Sequence, residues 1–410
     1  MRRALYALAL VLHVWLQVAP AVGKVHADRG GKDFSSYYYA AAAARDGKDP
    51  YDTALLSKLA RKDHTRRAVN PYFYPPPFVL TMLWAPSFTL HHAYWMMLVA
   101  NEILLVTCLA ALHRWFAVPA WALALLIASY SPIPDHAWMG QANLLALLPS
   151  LAGLALARGE SRRYDLAGGV LVGLSAMLKM SPALFLLYWG LRRNWTAIAG
   201  AVTTAMALSV IALPFVSFSQ QIVFYRDILP GFASGDYHGL TVPISLPANH
   251  SIPDMWNRLL PSGGDLLSSG ARIGSGICTL SMIALWAWAC RKRGNEPAVL
   301  GALTVMMVVT PVYTYEHHLV FLLLAVGAAA RVSPAFGLTY FFLAWPLTRL
   351  RQTQGWAPDG MDPWLRESKF LAELSLFALC LWAHRRTLAL QSLAIRPPAP
   401  TPDAASASPP

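Results

Sequence analysis

The chain reads as an all-α, polytopic membrane protein, and three observations predict it. Of its 410 residues 56% are hydrophobic and only 13% are charged, with a mean hydropathy of +0.41, more apolar than a soluble domain of this length. Apolar runs long enough to cross a hydrocarbon core recur along the chain. Between them, Lys and Arg return in short clusters at 1–3, His113-Arg114, 158–163, Arg192-Arg193, 291–293, Arg331 and Arg385-Arg386, the pattern of short cytoplasmic loops. Taking those clusters as one side gives roughly 12 passes with both ends inside.

In chain order, the first apolar run covers 4–22, about 19 residues, longer than the 7–15 of a signal-peptide core and near the roughly 20 of a full span. An uncleaved helix is therefore expected, with the following segment outside. That segment, 23–77, is too long for a plain connector. Its run FSSYYYAAAAAR has helix-forming alanines and stops before Gly47, a suitable C-terminal cap, while 48–69 is basic and polar. The apolar stretch 78–116 is broken at Pro86 and divides into a membrane-surface helix and a span near 92–113. Outward loops are expected at 131–141, 179–181, 217–270, 311–317 and 346–368, with 217–270 the second long outer loop. The two helices between 163 and 192 reach only about 15–24 Å at 1.5 Å per residue, short of a core of about 30 Å, so their tip at Lys179 lies below the outer surface. A lysine there either faces an anion or a wet cavity, or snorkels to the interface. One membrane domain over 1–390 is expected; 391–410, ending RPPAPTPDAASASPP, has nothing to bury and reads as a disordered tail.

Several classes of function fall away on composition. The net charge of +12 suits anionic headgroups and topology signals, and no basic-aromatic motif points to nucleic acid. Cys108, Cys278, Cys290 and Cys380 lie in or at the ends of apolar spans without metal-ligand spacing, and read as packing residues. A transporter would place ionisable residues near the midplane and would be helped by inverted repeats. Here Glu102 and Glu373 are the few such acids, no repeat is visible, and the other carboxylates gather in the outward loops, which favours an enzyme over a transporter or a noncatalytic lipid-binding scaffold.

The motifs carry the resemblance. GKDFSSYYYAAAAARDGKDPYD from Gly31 to Asp52 contains a D-F-x-x-Y-Y helix opening and a G-x-D-P-Y-D turn, and NPYFYPPPF from Asn70 to Phe78 leads into the next apolar run. GQANLL (140–145), LKMSPALFLL (178–187), NHSIPDMWNRLL (249–260) and PVYTYEHH (311–318) follow. This order resembles glycosyltransferase family 87 of the GT-C superfamily. The resemblance implies a GT-C fold and inverting transfer of a sugar from a polyprenyl-phosphate donor to a lipid or glycan acceptor at the outer face of a bacterial inner membrane. It also implies a hexose, mannose in first place, with arabinofuranose as the alternative, and Asp33 as the catalytic aspartate. No cofactor and no metal are expected, the lipid-linked sugar being a substrate.

Read by their chemistry, the same residues leave alternatives. Asp33 opens the FSSYYY helix and is either a general base or that helix's N-cap. Lys179 and Arg258 are candidate donors to the leaving phosphate, Arg258 against the alternative of a loop salt bridge. His317 and His318 are candidates for phosphate or a sugar hydroxyl; a Glu-His-His metal site is disfavoured because adjacent helical residues point to different faces. Tyr37 and Tyr74 are placed among the substrate-binding residues, and the prolines after Tyr74 also make an extended lead into the membrane. Asp49 is a turn residue beside Tyr51, whose ring can stack on a sugar. Gln141 and Asn143 either hold sugar hydroxyls or cap a re-entering helix. Asn249 stands in the second long outer loop, in an Asn-x-Ser pattern too short to be specific.

Overall fold

A computed structural model describes residues 2–26, 30–236, 244–245, 249–262, 266–292, 294–330, 335–344 and 362–394. These residues form helices and their connections, with no strand among them. The first span, Tyr6–His26, is a continuous helix with a π turn at Val14–Val18. Leu90–Phe116 is the longest of the clearly apolar spans at 27 residues, about 40 Å at 1.5 Å per residue. Its start is capped by Thr89, which accepts from the His92 N–H at 3.3 Å. Trp195–Ala212 and Ser269–Ala289 also reach spanning length. Val99, Ile103 and Val106 on the second of these helices, Met206 and Val210 on the third, and Ile273, Ile277 and Leu280 on the fourth are exposed, as lipid-facing stripes should be.

The expectation of 12 passes is not reached by helices of spanning length among the described residues: four qualify, or five if a bent pair counts as one. The basic clusters mark intervals long enough for two passes, but the chain fills several of them with shorter pieces. Pro132–Met139 and Asn143–Leu156 meet at 119°, and Ala120–Ser129, Ser181–Leu191, Glu296–Val309 and Glu316–Ala329 are apolar helices of 10–17 residues. The expected surface helix after Phe78 is a 3₁₀ turn, Pro76–Met82, followed by a second at Ala85–Ser87. The second long loop contains helices Phe218–Val223 and Ile252–Leu259. The last helix runs Asp362–Ala394, past residue 391, where the tail was expected to begin. The rest of that tail and most of the 346–368 loop lie outside the described residues.

The core is made by short helices. Every residue from Ala298 to Val309 is buried, so this helix is apolar all round and central. Asn143–Leu156, Arg162–Leu178 and Trp195–Ala212 pack backbone against backbone. A Cβ on Gly169 would lie 2.0 Å from the Ala197 carbonyl oxygen, the close approach that small residues permit between membrane helices.

Two features set up the segment that follows the first span. Lys32–Arg45 begins at Gly31, whose φ of 68° is left-handed and therefore suits glycine, and whose N–H donates to the Trp138 carbonyl at 2.7 Å. The helix then buries Phe34 through Ala41, so its first turn is fixed on the bent pair. Next, Asp49 accepts from the Tyr51 N–H at 2.9 Å, and Asp52 caps Thr53–Lys62 by accepting from Leu55 N–H at 3.0 Å, the side-chain-to-backbone bonds by which Asp sets a turn and a helix start.

Candidate active site

Asp33 sits one residue into its helix, not at the cap, which is Gly31 and carries no side-chain bond. Its carboxylate is half-buried and held on both oxygens by amides: Asn70 Nδ2 donates to Oδ1 at 2.8 Å and Gln141 Nε2 to Oδ2 at 2.5 Å. Each amide donates a single bond, and a carboxylate offers about four lone-pair sites, so Asp33 is oriented while acceptor capacity remains.

Gln141 occupies the corner of the 119° bend. Its backbone carbonyl accepts from buried Asn101 Nδ2 at 3.1 Å, and its side-chain oxygen accepts from the Tyr37 and Tyr74 hydroxyls at 3.2 and 3.0 Å. Those two phenol oxygens also lie 2.5 Å apart, so their two O–H groups serve three contacts in alternation. Burial, with Tyr74 and Asp33 nearby, pushes the Tyr37 phenol well above its ordinary range, and burial does the same to Tyr74. Both stay protonated donors. With its oxygen so engaged, the Gln141 amide nitrogen faces Asp33.

On the other side, His317 Nε2 stands 4.0 Å from Asp33 Oδ2, while its Nδ1 lies 3.3 Å from Asp135 Oδ2. A carboxylate at Nδ1 selects the tautomer that donates from that nitrogen. Asp135 is itself oriented by Trp138 Nε1 at 2.6 Å. Asn143 Nδ2 donates to the His317 carbonyl at 2.7 Å and its Oδ1 accepts from Lys179 Nζ at 2.5 Å. Lys179 stands 5.7 Å from the Phe321 ring centroid and, using one donor here, keeps two for an anion.

The fold thus joins Asp33, Tyr37, Tyr74, Gln141, Asn143, Lys179 and His317, drawn from five separated motifs, into one hydrogen-bonded or near-contact group. Other residues singled out in the sequence do not join it. Arg258 pairs with Asp254 Oδ2 at 2.8 Å and makes a two-pronged contact with Glu367, so carboxylates hold the fork proposed for phosphate and the loop salt bridge describes it. Asn249 is buried and holds backbone: its amide donates to the Ile244 and Val312 carbonyls and its oxygen accepts from Thr314 N–H. His318 Nδ1 accepts from Tyr315 N–H at 3.1 Å. Asp49 makes its turn, and Tyr51 is buried, donating to the Tyr74 carbonyl at 2.9 Å and stacking on Phe224 at 5.3 Å. Asn70 and Asp135 were not among the candidates drawn from the sequence, although Asn70 opens NPYFYPPPF and Asp135 lies in 131–141, where a loop was expected and the helix Pro132–Met139 is found.

A sequence profile described as Glycosyltransferase family 87 matches residues 72–314, more than half of the chain. The chain belongs to glycosyltransferase family 87. A protein of Mycobacterium tuberculosis (strain ATCC 25618 / H37Rv), a "Polyprenol-phosphate-mannose-dependent alpha-(1-2)-phosphatidylinositol mannoside mannosyltransferase", is 28% identical over 79% of this chain and 76% of its own length. The protein of the same description from Mycolicibacterium smegmatis (strain ATCC 700084 / mc(2)155) is 27% identical over 71% and 68%. No solved structure matches the chain. The matched interval holds Tyr74, Gln141, Asn143 and Lys179 of this glycosyltransferase; Asp33 and Tyr37 precede it and His317 follows it. The enzyme therefore assembles its polar group from inside and outside the family segment.

Proposed function

We propose that this glycosyltransferase moves a hexose, mannose in first place, from a polyprenyl-phosphate donor to a lipid acceptor on the outer face of the cell membrane, with Asp33 as general base. The observation that carries the reading is the Asp33 carboxylate, fixed on both oxygens by Asn70 and Gln141 with His317 4.0 Å away. In the reaction the acceptor hydroxyl oxygen bonds to the anomeric carbon as the bond to the phosphate oxygen breaks. The hydroxyl proton passes to Asp33, and the electron pair leaves with polyprenyl phosphate. One displacement inverts the anomeric centre, giving an α-linkage from a β-linked donor. Charge rising on the phosphate calls for a cation, and Lys179, bound to Asn143 in the same group, is the one assigned. Tyr37 and Tyr74, neutral phenols whose O–H groups are engaged around Gln141, present oxygens that can accept from sugar hydroxyls.

The donor class is supported by the relatives, whose descriptions name polyprenol-phosphate-mannose, and a lipid acceptor by the phosphatidylinositol mannosides named there. We assign the chain a GT-C architecture of roughly 12 passes, with the shorter apolar helices completing the count. The outward placing of the site rests on the basic clusters, which leave each contributing motif on the side opposite to themselves. The test is transfer by the purified enzyme to a phosphatidylinositol mannoside, offered either synthetic polyprenyl-phosphate mannose or GDP-mannose, with the product read by mass spectrometry. Product from the lipid-linked donor alone is expected; product from GDP-mannose alone would overturn the donor assignment.

A further inference from the structure

Outside the group around Asp33, the last helix carries a buried polar cluster. Lys369, in Asp362–Ala394, is fully buried. Its ammonium donates to Glu316 and, at 3.3 Å, to Ser131 Oγ, and Ser131 in turn donates to Glu316. Glu373, one turn further on, is also fully buried, with no hydrogen-bond partner on either oxygen. Buried charge of this kind is costly and is kept where it has work to do.

What the cluster joins is informative. Ser131 is the N-cap residue of Pro132–Met139, the helix that carries Asp135. Glu316 opens the 3₁₀ turn Glu316–Leu322, whose second residue is His317. These two elements therefore meet twice, once through Ser131 and Glu316 and once through Asp135 and His317, and Lys369 locks the first meeting point from a third element. A third link, Tyr130 OH to the Leu319 carbonyl at 2.9 Å, runs alongside. Release of the Ser131–Glu316 contact would let the turn rotate relative to the helix. His317 would then shift against Asp135 at 3.3 Å and Asp33 at 4.0 Å.

We infer that Lys369 is a positioning residue for the transfer reaction: its bridge between Glu316 and Ser131 holds His317 in register with Asp33. This rests on the reading of Asp33 and His317 as parts of the active site. Lys369 touches no substrate, so its removal acts on turnover through His317 and leaves donor binding nearly unaltered.

The test is a double-mutant cycle on kcat per folded enzyme, using Lys369→Met, His317→Ala and the two combined, with polyprenyl-phosphate mannose as donor. Residues acting through one another give non-additive effects. Lys369→Met is expected to lower kcat at least tenfold with the donor KM within about threefold, and to change kcat less than about threefold once His317 is already alanine. Because that variant leaves buried Glu316 without its cation, Glu316→Gln is run beside it, which removes the carboxylate charge at nearly unchanged side-chain size. The same pattern is expected. Full multiplication of the two effects, or a loss that merely tracks the amount of folded protein, would overturn the role of Lys369 while sparing His317. Failure of both Lys369→Met and Glu316→Gln to accumulate would also overturn it, by making the cluster a requirement of folding. A harmless His317→Ala would remove the reading on which this inference stands.

Discussion

Replacing Asp33 by asparagine separates chemistry from structure. Since Gly31 is the cap and Asp33 makes no bond to the helix backbone, the exchange removes no cap. It does remove a negative charge from the first turn, worth about 0.3–1 kcal/mol, and turns one carboxylate oxygen into an amide nitrogen. That nitrogen needs an acceptor. Turning Asn70, which is half-buried, presents its oxygen, whereas turning Gln141 would disturb the bonds from Tyr37 and Tyr74. The arrangement of lower cost keeps Gln141 donating to the remaining oxygen and loses about 1 kcal/mol for the altered pair. The whole structural cost is then on the order of 1–2 kcal/mol. Loss of a general base costs about 10²–10⁴ in rate, roughly 3–5 kcal/mol of barrier. Transfer from polyprenyl-phosphate mannose by purified Asp33→Asn should fall by that factor, with a small drop in Tm and donor affinity within a few fold. Turnover within about tenfold of the parent, in protein that is as well folded, would refute the assignment of the base.

Four further outcomes follow from the same geometry. Lys179→Met should cost about 2–4 kcal/mol of transition-state stabilisation, read as kcat/KM, if the ammonium meets the leaving phosphate; unchanged kinetics would remove it from the site. Arg258→Ala, which removes one interaction of fully buried Asp254 and the two-pronged contact with Glu367, should lower stability by on the order of 1–3 kcal/mol in a denaturation experiment, with donor KM little altered; a raised donor KM at unchanged stability would restore the phosphate role. Burial raises Tyr37, Tyr51 and Tyr72 well above the ordinary tyrosine value, so the folded state favours the protonated phenols, and their contribution is complete below about pH 10 and lost as pH rises beyond it. A stability-pH curve should decline there, and should decline less in Tyr37→Phe. For topology, a single cysteine at Lys48 should react with an impermeant thiol reagent in intact cells and one at Arg193 should not; labelling at Arg193 would reverse the orientation.

The helical class was legible because composition, apolar runs of spanning length and recurring basic clusters agree on it, and the motif order was legible because Asp33, Tyr74, Gln141, Asn143 and Lys179 each sit beside an apolar run whose end they mark. The pass count was harder. A basic cluster reports a side, not what lies between two clusters, and the bend at Gly140-Gln141 makes two short helices where an uninterrupted span would read the same in hydropathy. Sequence could not choose between base and cap for Asp33, since both put an acid at a helix start; the left-handed Gly31 places the cap two residues earlier than the acidic residue suggests. Arg258 was ambiguous for a different reason, because Glu367 stands 109 residues away.

That last difficulty is general to this site. Asp135 and His317 are 182 residues apart and Glu316 and Lys369 are 53 apart, so each looks in sequence like a lone polar residue at the border of an apolar run, for which capping or snorkelling is an adequate account. Pairing changes the account, because a buried carboxylate or ammonium persists only with a partner or a function. The bent helix pair is what makes the pairing possible: by turning 119° it brings Ser131, Asp135 and Gln141 toward the 3₁₀ turn after Tyr315 and toward the first turn of Lys32–Arg45. A substitution that straightened this corner would separate the Asp135–His317 contact from the Gln141–Asp33 contact. The bend therefore does more than shorten a membrane helix: it sets the distance between Asp33 and the groups that orient it.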